Sequence, residues 1–213
     1  MMIMTMIITT ATIQTKELKL GNLTTAKAIT FLDIETTHLD PSKSAILSIS
    51  IITDWEDGKQ DVWTTNIKPK DIELQFASDE ALKICMYDED KWADAPSFKE
   101  VAPEIAKRLM WGPLVAHNIQ FDVGHIKAVF KRYGYRAAER NERVEPDNKL
   151  YKIGYPQIDT CALAYLFLPT ERQNLDTLRA YFGIKEGRAH SADTDTEDCR
   201  HVFYKILESI DPG

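Results

Sequence analysis

The apolar run Ala28-Ile29-Thr30-Phe31-Leu32 ends directly in two carboxylates, Asp33 and Glu35. A short apolar run of this kind reads as a buried strand, and on a strand residues i and i+2 project to one face. Both carboxylates therefore stand side by side at the strand's C-terminal end, where ligand sites of α/β sheets tend to lie. Two like charges held together there are unfavourable unless a cation neutralises them. The fold must bring other charged groups to the end of this strand.

Two further motifs can supply them. His117-Asn118-Ile119-Gln120-Phe121-Asp122 follows a short apolar stretch, and His190-Ser191-Ala192-Asp193-Thr194-Asp195 follows the turn Gly187-Arg188 and opens the last helical pattern. Each motif has an ordinary explanation by itself. Asp33 and Glu35 could be an exposed pair, Asp122 could favour a helix N-terminus through the macrodipole, and His190 could be a surface histidine. Taken together, each follows its own buried or turn-forming element, in an order that brings three separated segments to one end of a sheet. Four carboxylates and a histidine in that arrangement describe a two-metal site that cleaves phosphodiesters. Hard oxygen donors select Mg²⁺, with Mn²⁺ able to substitute, over zinc. A neutral imidazole near pH 7 suits His190 to take a proton from water. Phe121 offers a ring to stack on a base, and His117 and Asn118 can hold a sugar or phosphate.

The pattern along the chain agrees with an α/β fold. Strands are predicted over 28–32, 45–53 (Leu47, Ile49 and Ile51 alternating with Ser48 and Ser50) and 60–67, as a meander. Helical spacing covers 98–110, with Ser97 placed as its cap, and 121–133, with a short buried strand over 113–116 between them. Helical pattern returns over 160–167, 175–182 and 193–210. Residues 136–155 lose periodicity and read as an irregular, solvated insertion of nearly balanced charge. Runs of strands and helices in this order predict one domain over 27–213 around a mixed sheet.

At 213 residues the chain can bury one substantial core. A net charge of −7 speaks against a general nucleic-acid coat protein but not against an enzyme gripping a few nucleotides, because divalent cations reverse the local sign. Cys85, Cys161 and Cys199 form no CxxC pair, fit neither a disulfide framework nor a zinc site, and suggest a reducing compartment. The Met-rich start lacks a basic region and is broken by threonines, and no run of ~18 apolar residues occurs. Residues 1–26 are expected to be an arm or edge strand, and the protein to be cytoplasmic without a membrane segment.

The three motifs resemble those of the DnaQ-like 3′→5′ exonucleases, the DEDD superfamily in its histidine subtype. Asp33, Glu35, Thr36 and Thr37 match D-x-E-T-T. His117, Asn118, Phe121 and Asp122 match H-N-x-x-F-D, and His190, Ala192 and Asp195 match H-x-A-x-x-D. The tyrosine subtype would need Tyr where this chain has Ser191. Ile158-Asp159-Thr160, Asn174-Leu175-Asp176-Thr177-Leu178 and Asp94-Ala95-Pro96-Ser97-Phe98 also look like stretches of this family. His38 is a departure, since glycine commonly follows the paired threonines.

The resemblance implies a ribonuclease H-like fold, a central mixed five-stranded sheet flanked by helices. It implies hydrolysis of single-stranded DNA from its 3′ end to 5′-mononucleotides, as in DNA repair, with two divalent cations. Asp33, Glu35 and Asp195 would hold one ion, and Asp33 with Asp122 the other, with His190 as general base. Thr36, Thr37 and Leu39 would bracket the terminal nucleotide, with Asn118 and Phe121 on the next one and His117 positioning substrate. The partners implied are single-stranded 3′ ends, DNA favoured over RNA, and a homodimer is compatible. With 18 residues after Asp195, no polymerase-tethering tail is expected. The alternatives are an exoribonuclease of the ribonuclease T or oligoribonuclease kind, a polymerase proofreading subunit, and a catalytically silent single-strand-binding module.

Overall fold

A computed structural model describes residues 26–185 and 191–210; the N-terminal arm and His190 lie outside them. Its strands are β1 (Ala28–Thr36), β2 (Ile46–Trp55), β3 (Gln60–Asn66), β4 (Leu114–Ala116), β5 (Arg136–Ala137), β6 (Leu150–Tyr151) and β7 (Gln157–Asp159). Five of them form one sheet in the order β3-β2-β1-β4-β7. The meander pairs antiparallel, and β4 then joins β1 in parallel with Phe31 opposite Val115, followed by β7 in parallel on β4. The sheet is therefore mixed, as the sequence pattern predicts. Parallel neighbours put the C-terminal ends of β1, β4 and β7 on one edge, where β1 ends within the first motif, β4 runs directly into the second, and β7 ends in Asp159.

The alternation along β1 sorts the core into two layers. Leu32 and Ile34 point to the face covered by α4 (Phe98–Arg108) and α5 (Ile119–Arg132), where Ile105, Val123, Ile126 and Phe130 pack. Phe31 points to the other face and meets Cys199, Phe203 and Leu207 of α8 (Ala192–Ile210). The rings of Phe31 and Phe203 meet edge-on with centroids 5.5 Å apart, worth about 0.5–1.5 kcal/mol beyond the area they bury. A sheet covered on both faces must bury its polar positions as well, so Ser50 of β2 is fully buried and accepts from the Thr64 hydroxyl at 2.9 Å. Gly112, just before β4, lies against the Ala28 carbonyl so closely that a Cβ would collide with it.

The helices over 160–167 and 175–182 appear as α6 (Thr160–Phe167) and α7 (Leu175–Phe182). Two regions differ from the sequence expectation. Three short helices, α1 (Asp71–Leu74), α2 (Asp79–Ile84) and α3 (Glu89–Trp92), occupy a segment for which periodicity assigns nothing. One turn or so is too short to carry a helical stripe, and the segment is held instead by single contacts such as Trp92 Nε1 donating to the Leu47 carbonyl at 2.8 Å. The insertion over 136–155 is not wholly irregular or solvated. β5 and β6 pair in parallel, and the Tyr151 ring stacks on Phe130 at 4.6 Å, anchoring the insertion to the core. Two-residue strands have no readable period. Among the described residues, no helix is long and apolar enough to cross a membrane.

Candidate active site

The row Phe31, Asp33, Glu35 on β1 faces the stripe Phe203, Cys199, Asp195 on α8, residues four apart and hence on one side of the helix. The rows run from apolar at one end to acidic at the other. Ligand atoms of Asp33, Glu35 and Asp195 all lie within 4.8 Å of one another. Asp122 is not among these three. It approaches from α5 on the opposite layer, nearly fully buried, and the Ile34 backbone N–H donates to its carboxylate.

Carboxylates collected away from water resist ionisation. Asp33 is held well above the usual carboxylate range by removal from water, and then by Asp122, Glu35 and Asp195, with Arg179 easing it. Asp122 is also raised, chiefly by burial and further by Asp159 and Glu35, against the opposing effect of backbone N–H donors including Ile34. An all-oxygen donor set with mutually repelling charges fits a hard divalent cation.

Arg179 on α7 is the cation already present. Its side chain is 4% exposed, and Nη2 donates to Asp195 Oδ1 while Nη1 donates to Asp176 Oδ1 at 2.8 Å. Its Nε lies 2.7 Å from Asp198 Oδ2, off the hydrogen-bonding axis, so that contact is an ion pair. A second neighbour comes from α2's end: Cys85 Sγ donates to Glu35 Oε2 at 3.1 Å, and burial followed by the Glu35 charge pushes its pKa up to about 12. Neither residue is found by sequence reasoning, because neither belongs to a motif.

The candidate substrate residues divide into two groups. Leu39 is 79% exposed, four residues after Glu35 of the acidic cluster. Thr36 and Thr37 are buried, with Thr36 Oγ1 donating to the His38 carbonyl and Thr37 Oγ1 accepting from Ala45 N–H at 2.8 Å. Their side chains shape the loop that carries Leu39. His38 shows no left-handed backbone, and its Nδ1 accepts from the Asp40 N–H at 2.8 Å, so the position does not require glycine. His117 Nδ1 is 3.0 Å from Thr160 Oγ1, and burial pushes its pKa down, favouring the neutral ring. Asn118 opens α5 in the left-handed region with φ 64°, which Asn tolerates, and its N–H donates to Asp159 Oδ1 at 3.0 Å. Asp159 also caps α6 by accepting from Cys161 N–H, so one carboxylate ties the turns after β4 and β7 together. Phe121 packs on His125 with ring centroids 4.2 Å apart.

A family model described as an exonuclease, the RNase T family, matches residues 30–203. The chain belongs to this exonuclease family. Among curated relatives of this exonuclease domain, the PolC-type DNA polymerase III of Caldanaerobacter subterraneus subsp. tengcongensis is 28% identical over 179 residues, 84% of this chain and 11% of the relative. The DNA polymerase III subunit epsilon of Treponema pallidum is 25% identical over 183 residues, covering 84% of this chain and 76% of the relative. The chain thus spans about a tenth of the length of the PolC-type relatives and most of the epsilon subunit. In structure, it is similar to E. coli exonuclease I in complex with a dT13 oligonucleotide, with a TM-score of 0.67 and 16% identity over 85% of this chain and 41% of that one. A 3′-exonuclease described in 3′-end recognition of a histone mRNA stem-loop scores 0.63 at 11% identity, over 86% of this chain and 64% of that one. The fold is the ribonuclease H-like exonuclease fold, and the family domain over residues 30–203 is of the DnaQ-like kind.

Proposed function

We propose that this protein shortens single-stranded DNA from its 3′ end, releasing 5′-mononucleotides by two-metal-ion hydrolysis. The observation that carries the reading is the convergence of Asp33, Glu35 and Asp195 within 4.8 Å, with Asp122 buried beside them. Asp33, Glu35 and Asp195 would hold one Mg²⁺ or Mn²⁺ and Asp33 with Asp122 a second. When bound, such ions polarise the scissile phosphate and make an adjacent water more acidic. His190 takes the proton of the attacking water, whose oxygen bonds to phosphorus as the 3′-oxygen departs. His117, neutral and oriented by Thr160, contacts the substrate together with Asn118 and Phe121, and Leu39 meets the terminal nucleotide.

The likeness to exonuclease I bound to an oligo-dT strand supports single-stranded DNA as substrate. A second reading, an exoribonuclease, draws on the fold shared with the histone mRNA 3′-exonuclease. Incubating the protein with 3′-labelled single- and double-stranded DNA and RNA, with and without Mg²⁺, separates the two. Fast Mg²⁺-dependent release from single-stranded DNA is the expected result, and exclusive release from RNA selects the alternative. His190→Ala should lower kcat by about 10²–10⁴-fold, the usual range for removing a general base. Full activity in His190→Ala or Asp122→Ala would sink the assignment.

A further inference from the structure

The loop between β1 and β2 is fastened to α5 at both of its ends. His125 is fully buried on α5, and its Nε2 lies 3.0 Å from the His38 carbonyl. Its Nδ1 faces the Phe121 carbonyl at 2.9 Å, within α5 itself. Seven residues on, and so on the same side of the helix, Arg132 donates from Nη1 to the Ser44 carbonyl at 2.8 Å. From Nη2 it reaches the carbonyls of Pro41 at 3.3 Å and Ser42 at 3.2 Å. Next to His125, the Gly124 backbone faces Pro41, and a Cβ there would stand in ordinary contact with the proline ring at 3.9 Å. Three of the loop's carbonyls thus accept from Arg132, and a fourth, that of His38, lies within hydrogen-bond distance of the His125 ring on the same helix. That helix also carries Phe121 and Asp122.

We propose that His125 and Arg132 are positioning residues that dock this loop on α5, and so hold Leu39 at a fixed place relative to the acidic cluster. The proposal rests on the exonuclease reading above, in which Leu39 meets the terminal nucleotide. A loop free to swing would have to be ordered each time a strand binds, and that cost falls on substrate affinity. Docking beforehand removes it. His38 and His125, both outside the three motifs, thereby act as one device: the first presents its carbonyl, the second its ring nitrogen.

His125→Phe keeps an aromatic ring against Phe121 and removes the contact to His38, whereas His125→Gln can place an amide N–H where Nε2 stood. With a single-stranded oligo-dT substrate, His125→Phe is expected to raise KM about five- to twenty-fold with kcat within about twofold, the range of one lost buried hydrogen bond. His125→Gln should recover most of that loss. Arg132→Lys, which keeps a cation beside Glu73, is the second variant, and should move KM the same way. Limited trypsin digestion of the intact protein supplies a readout independent of turnover, because Lys43 lies in the loop and is exposed. Its cleavage should speed up in His125→Phe and Arg132→Lys. An unchanged rate at Lys43 overturns the docking, and a faster rate with KM unchanged overturns the positioning role. Wild-type protein that releases no nucleotide from any strand defeats the exonuclease reading and the substrate role of Leu39 with it, while the Lys43 rate still judges the docking.

Discussion

Arg179 Nη2 is bonded to Asp195 Oδ1, so the carboxylate that α8 delivers to the site is already tied to a guanidinium on α7. The same guanidinium is paired with Asp198, whose side chain is 7% exposed. One buried arginine thus sets the position of a candidate ligand, keeps a second carboxylate compensated, and eases the ionisation of Asp33.

Removing that arginine strands two carboxylates. Arg179→Met should destabilise the protein by about 3–5 kcal/mol, the usual result of deleting one partner of a buried pair. Arg179→Lys should recover part of this through charge alone, without the fork that spans Asp176 and Asp195. Urea unfolding of the three proteins measures both effects. A change below about 1 kcal/mol in Arg179→Met would show that the pairs contribute little.

Asp33 makes stability depend on pH in a defined sense. Its pKa is raised in the folded chain, so the folded state binds the proton more tightly than the unfolded state. The resulting stability is complete below the ordinary value of 3.8 and is lost as pH rises through the raised folded value. In EDTA at neutral pH, Asp33→Asn should therefore melt higher than wild type, and the gap should close on acidification. Melting curves across that window test it, and a gap independent of pH would contradict the raised pKa.

Divalent cations should act in the opposite direction to that repulsion. Mn²⁺ at about 100 times its Kd adds ~2.7 kcal/mol to the folded state, which raises Tm by roughly 5–10 °C for a protein of this size. Asp195→Asn should lose most of the rise. Thermal melts with and without Mn²⁺ measure this directly, and an equal rise in the variant would remove Asp195 from the ligand set.

The thiols should differ in reactivity. Cys85 is buried against Glu35 with its pKa pushed up to about 12, and the fully buried Cys199 is pushed up further by removal from water. Cys161 is only half-buried. Iodoacetamide at pH 8 should modify Cys161 first and reach Cys85 and Cys199 only on unfolding. Peptide mass mapping of a time course gives the order, and early labelling of Cys85 would contradict its burial.

Much of the architecture was legible because it rests on short-range periodicity. The alternation in β2 and the three-to-four spacing in α4, α5 and α8 come from faces that must be buried, and α6 and α7 carry the expected bounds. The helices α1 to α3 and the β5–β6 pair were not legible. Elements of two to six residues hold their form through single tertiary contacts, such as Trp92 on Leu47 and Tyr151 on Phe130, and leave no repeating pattern.

The sequence by itself determined the order of the main strands and helices, and which carboxylates gather at one end of the sheet. Strand alternation suffices to put Asp33 and Glu35 on one face, and the joint pattern of the three motifs marks Asp122 and Asp195 as the carboxylates to join them. What surrounds those carboxylates was decided by tertiary structure alone. Arg179 reaches Asp195 across 16 positions, Cys85 reaches Glu35 across 50, and His125 reaches His38 across 87. Contacts between distant segments depend on how layers pack, and no local spacing encodes them. For the same reason the sequence marked His38 as a departure, and only the packing of α5 against the loop showed what holds it.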